Sequence, residues 1–203
     1  MTQSKADALA LEAQLNGYPA FVRVAWMQVT IDDKRSRLIS ALGMMGEAGE
    51  ACEVIKKRVR GDTGEHVSDD KLLMELGDVW FYLVLAHMQW GFDPNIKISN
   101  WPPISFPMSL TEPIDQLIWA MGDLMLSCAS LGDFLTAEIG LTPTKTTCSK
   151  SNFVARTDQL FCALNRILMI MGKTQSDLED LNVKKLTTRL RSSGTLRGSG
   201  SDR

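Results

Sequence analysis

Apolar side chains recur along this chain at three- and four-residue intervals, the spacing that gathers them on one face of a helix. Ser4 predicts the cap of a first helix running to Leu15, which Gly17 and Pro19 end, and a second helical stretch covers about residues 20–31 until Asp32 and Asp33. Leu38, Leu42, Met45, Ala48, Cys52 and Ile55 form the stripe of a third helix, from about Ser36 to Gly61. After a polar loop, Ser68 caps a fourth, with Asp69 and Asp70 in the first turn where the dipole favours negative charge. This helix runs to about Trp90 and stops at Gly91, and its middle, Val79 to Ala86, is apolar on every side. Such a segment belongs at the centre of a bundle.

Pro94, Pro102, Pro103 and Pro107 exclude regular helix between residues 92 and 110, which reads as a connector. Periodicity resumes at Pro113 with Ile114, Leu117, Met121, Leu124, Cys128 and Leu131, and weakens before Gly140. A loop containing Pro143 follows, then a helix from about Asn152 to Met171 ended by Gly172, then a last helix capped by Ser176 and reaching about Arg191. No apolar stretch keeps the two-residue period of a strand, so the predicted class is all-α.

The predicted organisation is a helical half over residues 1–92, a proline-rich connector over 93–110, a second helical half over 111–191 and a disordered Gly/Ser/Arg-rich tail over 192–203. The halves echo each other. Met45-Gly46-Glu47 overlays Met121-Gly122-Asp123, Cys52 falls on Cys128, and Gly91 falls on Gly172. In the second half Glu50 becomes Leu126, Glu75 becomes Arg156 and Asp78 becomes Gln159. Two readings stay open, a fused pseudo-dimer with one acidic centre and a coincidence between helices of similar composition.

With 203 residues, 44% hydrophobic and 23% charged, and a net charge of −2, the chain lacks the basic field of a nucleic-acid binder. Cys52, Cys128, Cys148 and Cys162 show no CxxC spacing and read as reduced thiols. The first residues lack an export signal, and the longest apolar run falls far short of the ~20 residues that span a bilayer. A cytoplasmic protein without membrane contact is the expectation.

Charge becomes chemistry at two places. Glu47 and Glu50 lie three residues apart, as do Glu75 and Asp78, which sets each pair on one helical face. If the two helices pack face to face, the four carboxylates converge and need protonation or a cation, for which a hard divalent ion such as magnesium is suited. Gly46, Gly49 and Gly77 flank the pairs and predict close helix approach or a ligand. Lys57, seven residues after Glu50, shares that face and is a candidate phosphate contact; as one of several cations at a helix C-terminus it equally suits the dipole. Among the tryptophans, Trp26 is the candidate for touching a base. His66 and His87 have no ligand partner at suitable spacing, and no phosphate-binding glycine loop or GxSxG is present.

The stretches GMMGEAGEACEVIKK, KLLMELGDVWFYL and LNVKKLTTR resemble the MazG-like, all-α nucleoside triphosphate pyrophosphohydrolases, a superfamily that includes the dimeric dUTPases. The resemblance covers about residues 20–92, where Trp26 to Thr30 looks like the family's first-helix segment, and about residues 174–190. It implies a helical bundle of that type in which Glu47, Glu50, Glu75 and Asp78 bind Mg2+, with Mn2+ as a substitute, and hold a nucleoside triphosphate for hydrolysis to monophosphate and pyrophosphate. Tyr82 matches the family's tyrosine near substrate, and Asn182 and Lys185 match a pair facing the nucleotide, a face that Arg189 extends. In the family this last helix follows soon after the second acid pair, whereas here a connector and two helices intervene. Glu47 and Glu50 are both candidates for the general base. Preference for dNTPs, a narrow dUTPase-type specificity and a non-catalytic nucleotide-binding role all remain open, as does the choice between a monomeric pseudo-dimer and a homodimer.

Overall fold

Seven α-helices carry the described residues of the computed structural model, which are 2–27, 33–101, 110–138, 140, 149–194 and 196, and no strand occurs among them. They are α1 (Thr2–Asn16), α2 (Tyr18–Met27), α3 (Asp33–Arg60), α4 (Asp69–Gln89), α5 (Pro113–Glu138), α6 (Lys150–Ile170) and α7 (Gln175–Ser193), with short 3-10 turns at Glu65–Val67 and Ile98–Asn100. The class is all-α. The expected end of the second helix at residues 28–32 lies outside the described residues. So do Cys148 with loop 141–148, connector residues 102–109, and tail residues 195 and 197–203.

Local chemistry sets most boundaries. Ser68 caps α4 by accepting from the Lys71 N–H at 3.1 Å, as its position predicts. The cap of α7 is Thr174 and not Ser176. Thr174 Oγ1 accepts from the Asp177 N–H at 3.2 Å while Asp177 accepts from the Thr174 N–H at 2.8 Å, a reciprocal pair. Ser176 lacks such a partner at the third position, because Glu179 there accepts from Trp80 and Gln175 instead. At its other end α7 continues through Ser193 to a left-handed Gly194, slightly past the predicted stop.

Helices α3 and α4 pack as one hairpin, α5 and α6 as another, and α3 lies against α5. Aromatic side chains close the ring between α4 and α6: the Trp80 and Phe161 rings are 6.0 Å apart, and Trp90 stacks on Phe153 at 5.0 Å. Helix α7 then covers α4 and α1, and α2 bridges α1 and α4. The apolar residues form a single core, and α4 is buried along most of its length, as its all-round apolarity predicts. By length and composition α5 could cross a membrane, yet half of its most apolar window is buried, with Leu117, Leu124, Leu131 and Leu135 facing the core. The described part of the connector is anchored: Trp101 Nε1 donates to Asp158 at 2.7 Å, and Gln175 bonds the backbone of Ile96 and Ile98 at 2.8 Å each.

His87 sits between the hairpins, 7% exposed, with its ring 5.1 Å from Phe153, 5.4 Å from Phe161 and 5.7 Å from Phe92. Burial among these rings pushes it down from 6.5 to about 4, against the opposing pull of Asp93. A depressed folded-state pKa contributes stability that is complete above 6.5 and lost as pH falls through 4. Acidification over that window should therefore remove on the order of 3 kcal/mol through this one group. In His87→Phe this component disappears, so denaturant midpoints measured from pH 7 to 4 should fall less steeply than in the wild type.

Candidate functional site

Carboxylates converge where α3, α4 and α7 meet. Oxygens of Glu47 on α3 and of Glu75 and Asp78 on α4 all lie within 4.8 Å of one another. Glu75 is 1% exposed and Asp78 9%. Helix α7 supplies their counter-groups. Lys185 Nζ donates to Asp78 Oδ2 and, at 3.2 Å, to Glu75 Oε2. Asn182 Nδ2 donates to Asp78 Oδ1 at 2.6 Å, and Lys71, one turn before Glu75, donates to Glu75 Oε1.

Charge is only partly balanced. Burial pushes the Glu75 carboxyl up, but Lys71 and Lys185 outweigh it and hold the group below the usual carboxylate range. At Asp78 burial wins over Lys185, and the carboxyl is raised. Lys185 is itself opposed by burial, yet Asp78 and Glu75 hold it above the ordinary lysine value. Glu47 is left without a cation of its own. Burial, with Asp78 and Glu50 next, pushes it up to about 7. Three acids of this cluster thus face two lysines, and an added cation would relieve the surplus.

The predicted residues fall into three groups. Glu47, Glu75, Asp78 and Lys185 are brought together, with the Tyr82 phenol and Arg189 near enough to feel the acids; burial, then Glu47 and Asp78, pushes Tyr82 up to about 12. Glu50 lies one turn from Glu47 but on the exposed side of α3, outside the three-carboxylate set. Lys57 reaches back to Glu53 at 3.8 Å. The Trp26 indole donates to Ser36 at 2.8 Å, in a network with Gln89. Ser36 precedes Glu47 by eleven residues on α3, ~16 Å of helix. Asn182 departs from the nucleotide-facing role: it is 0% exposed, and its Oδ1 accepts from Tyr18 at 2.8 Å while its Nδ2 serves Asp78.

Two site residues escape the sequence reading. Lys71 carried a usable signal, since it precedes Glu75 by four positions on one helix. Tyr18 carried none, because only docking of α7 brings it to Asn182.

The glycines divide differently from expectation. A Cβ at Gly46 or Gly49 would meet nothing within 4 Å, so neither marks a close approach. Gly77 does, with Asn182 Cβ at 3.0 Å and the Leu178 carbonyl at 3.3 Å from its would-be Cβ. Gly43, four residues before Glu47, lies under the Tyr82 ring, which a Cβ would penetrate.

In the second hairpin the residues that the sequence overlay sets against the acids form structural pairs. Asp123, overlaid on Glu47, accepts from the fully buried Arg166 at 2.7 Å, and that guanidinium lies 4.3 Å from the Trp119 ring centre. Arg156, overlaid on Glu75, donates to the Ser130 carbonyl at 2.8 Å. Fold and site together define an all-α helical protein with a buried cluster of acids and lysines between α3, α4 and α7. No known protein family matches the chain, and neither a curated protein nor a solved structure matches it.

Alanine substitutions should separate the two kinds of glycine. Gly46→Ala, in open space on a helix, should stabilise the fold by up to ~1 kcal/mol in urea unfolding. Gly43→Ala should destabilise it by about 1–3 kcal/mol as Tyr82 is driven from its seat.

Proposed function

We propose that this protein is a magnesium-dependent nucleoside triphosphate pyrophosphohydrolase of the MazG-like type, acting on nucleoside triphosphates, dNTPs first among them, to release monophosphate and pyrophosphate. The observation that carries the reading is the convergence of Glu47, Glu75 and Asp78, from two helices, with oxygens within 4.8 Å of each other and with Glu47 raised to about 7 by burial and negative neighbours that Lys185 offsets only in part. An all-oxygen donor set of this charge suits a hard divalent ion. The three acids would hold it, with Glu50 at the exposed edge.

When bound, magnesium offsets triphosphate charge and lowers the pKa of a coordinated water. The chain's own side chains do the rest. Glu47 and Glu50 are the two candidates to accept a proton, Glu47 from within the acid set and Glu50 from its exposed edge. Arg189, one turn beyond Lys185 on α7, and the Tyr82 phenol border the acids where phosphates would enter. Lys185 spends two of its three N–H donors on Asp78 and Glu75, which leaves one for a phosphate.

Those same bonds favour a second reading. Lys71 and Lys185 already neutralise Glu75 and Asp78, an arrangement that suits a helical nucleotide-binding protein without turnover. A panel of dNTPs and NTPs, dUTP included, assayed for pyrophosphate with and without Mg2+, separates the readings. The hydrolase requires Mg2+-dependent release that falls by roughly a hundredfold or more in Asp78→Asn and in Glu47→Gln, and by less in Glu50→Gln. Activity that survives both Asp78→Asn and Glu47→Gln removes the assignment. Nucleotide that raises the melting temperature while no pyrophosphate forms establishes the second reading, and turnover confined to dUTP establishes a dUTPase-type enzyme.

A further inference from the structure

We propose that Tyr18 is a positioning residue for this site, its hydroxyl orienting the Asn182 amide and, through it, the Asp78 carboxylate; the inference rests on the metal-binding part of the function proposed above.

The chain of bonds has one consistent polarity. An ionised carboxylate only accepts, so the NH2 end of Asn182 must face Asp78 Oδ1, as it does at 2.6 Å. The carbonyl end then needs a donor, and Tyr18 Oη supplies it at 2.8 Å. All three side chains are buried, at 5%, 0% and 9% exposure for Tyr18, Asn182 and Asp78. Burial, reinforced by the Asp78 and Glu179 charges, raises the Tyr18 phenol well above its ordinary value, which keeps it protonated and able to donate.

Both ends of the relay are anchored by packing and bonding. The Asn182 backbone is held by the close approach of α7 to Gly77, immediately before Asp78. Tyr18 opens α2 directly after the left-handed turn at Gly17, and α1 is tied to α7 by Arg191 donating to Asp7 at 2.8 Å. With Oδ1 of Asp78 engaged by Asn182, Oδ2 is the oxygen turned to Lys185, which also bonds Glu75. Outer partners of this kind orient a ligand without touching what it binds. Helix α2, which contributes no acid to the cluster, thereby becomes part of the site.

The test uses the full chain and Mn2+ alone, followed by electron paramagnetic resonance or calorimetry without nucleotide. Tyr18→Phe removes one oxygen and should weaken Mn2+ binding about tenfold, within the range typical of outer-shell partners. In an Asp78→Asn background the same substitution should have no further effect. Phe21→Leu, whose ring is 5.7 Å from that of Tyr18 in the same core, should lower the melting temperature without changing Mn2+ affinity. Unchanged Mn2+ affinity in Tyr18→Phe overturns the inference, and so does an equal loss in Phe21→Leu, which would indicate general loosening.

A measurement on the wild type stands beside these variants. The Asn182 side-chain amide protons, followed by NMR, should exchange with solvent at least about tenfold more slowly than those of an exposed asparagine, and fast exchange overturns the relay. Wild-type protein that binds Mn2+ and loses affinity in Tyr18→Phe, but releases no pyrophosphate, supports the inference while removing the hydrolase. Wild-type protein that binds no Mn2+ overturns both.

Discussion

Asp78 and Glu75 are carboxylates buried on the central helix, and the structure depends on how α7 answers them. Removing an ion from water costs several kcal/mol unless charge and hydrogen bonds replace the lost hydration. Lys185 and Asn182 provide that replacement from more than a hundred positions along the chain, at Asp78 Oδ2 and Oδ1. Docking of α7 is therefore a condition for burying the acids. Gly77 makes it sterically feasible, since any side chain there would press on Asn182 Cβ and the Leu178 carbonyl.

The compensation stops short of neutrality, and this distinguishes the cluster from an ordinary buried ion pair. Glu47 approaches from α3 with no lysine of its own and is driven to about 7. The second hairpin shows the neutral alternative within the same molecule. There Asp123 meets one buried arginine beneath Trp119, and Arg156, which the sequence overlay sets against Glu75, bonds the Ser130 carbonyl. A bundle of this shape can be closed with paired charges and aromatic rings; the α3/α4 side keeps an acid surplus instead. Conserving that surplus has a stability cost, which a bound cation would offset.

The wall between the hairpins is built from different material. His87, Trp90, Phe92, Phe153 and Phe161 form an aromatic cluster whose histidine is kept neutral by burial. The acid cluster and this wall share α4, with Asp78 and His87 about two and a half turns apart. One buried helix thus carries a polar site toward its N-terminal half and an apolar joint toward its C-terminal half. Its all-round apolarity is what allows both faces to be covered at once.

Helix number, most helix ends and the central place of α4 were legible along the chain, because the three- to four-residue period, Ser68 and the glycines at 17, 61, 91 and 172 act locally. The acids Glu47, Glu75 and Asp78 were legible for the same reason, since spacing on a helix determines which side chains share a face. The cap of α7 lies two residues before Ser176, because Thr174 wins through a reciprocal bond to Asp177 that a single serine does not signal. Glu50 and the glycines show the limit of spacing. Gly46 and Gly49 look like contact positions and face open space, while Gly43 looks unremarkable and seats Tyr82. Nothing along the chain distinguishes Tyr18 from other buried aromatics or turns Asn182 inward. Those roles arise when helices distant in sequence cross within hydrogen-bonding distance, for a hydrogen bond depends on separation in space, and local periodicity carries no record of which helix will arrive there.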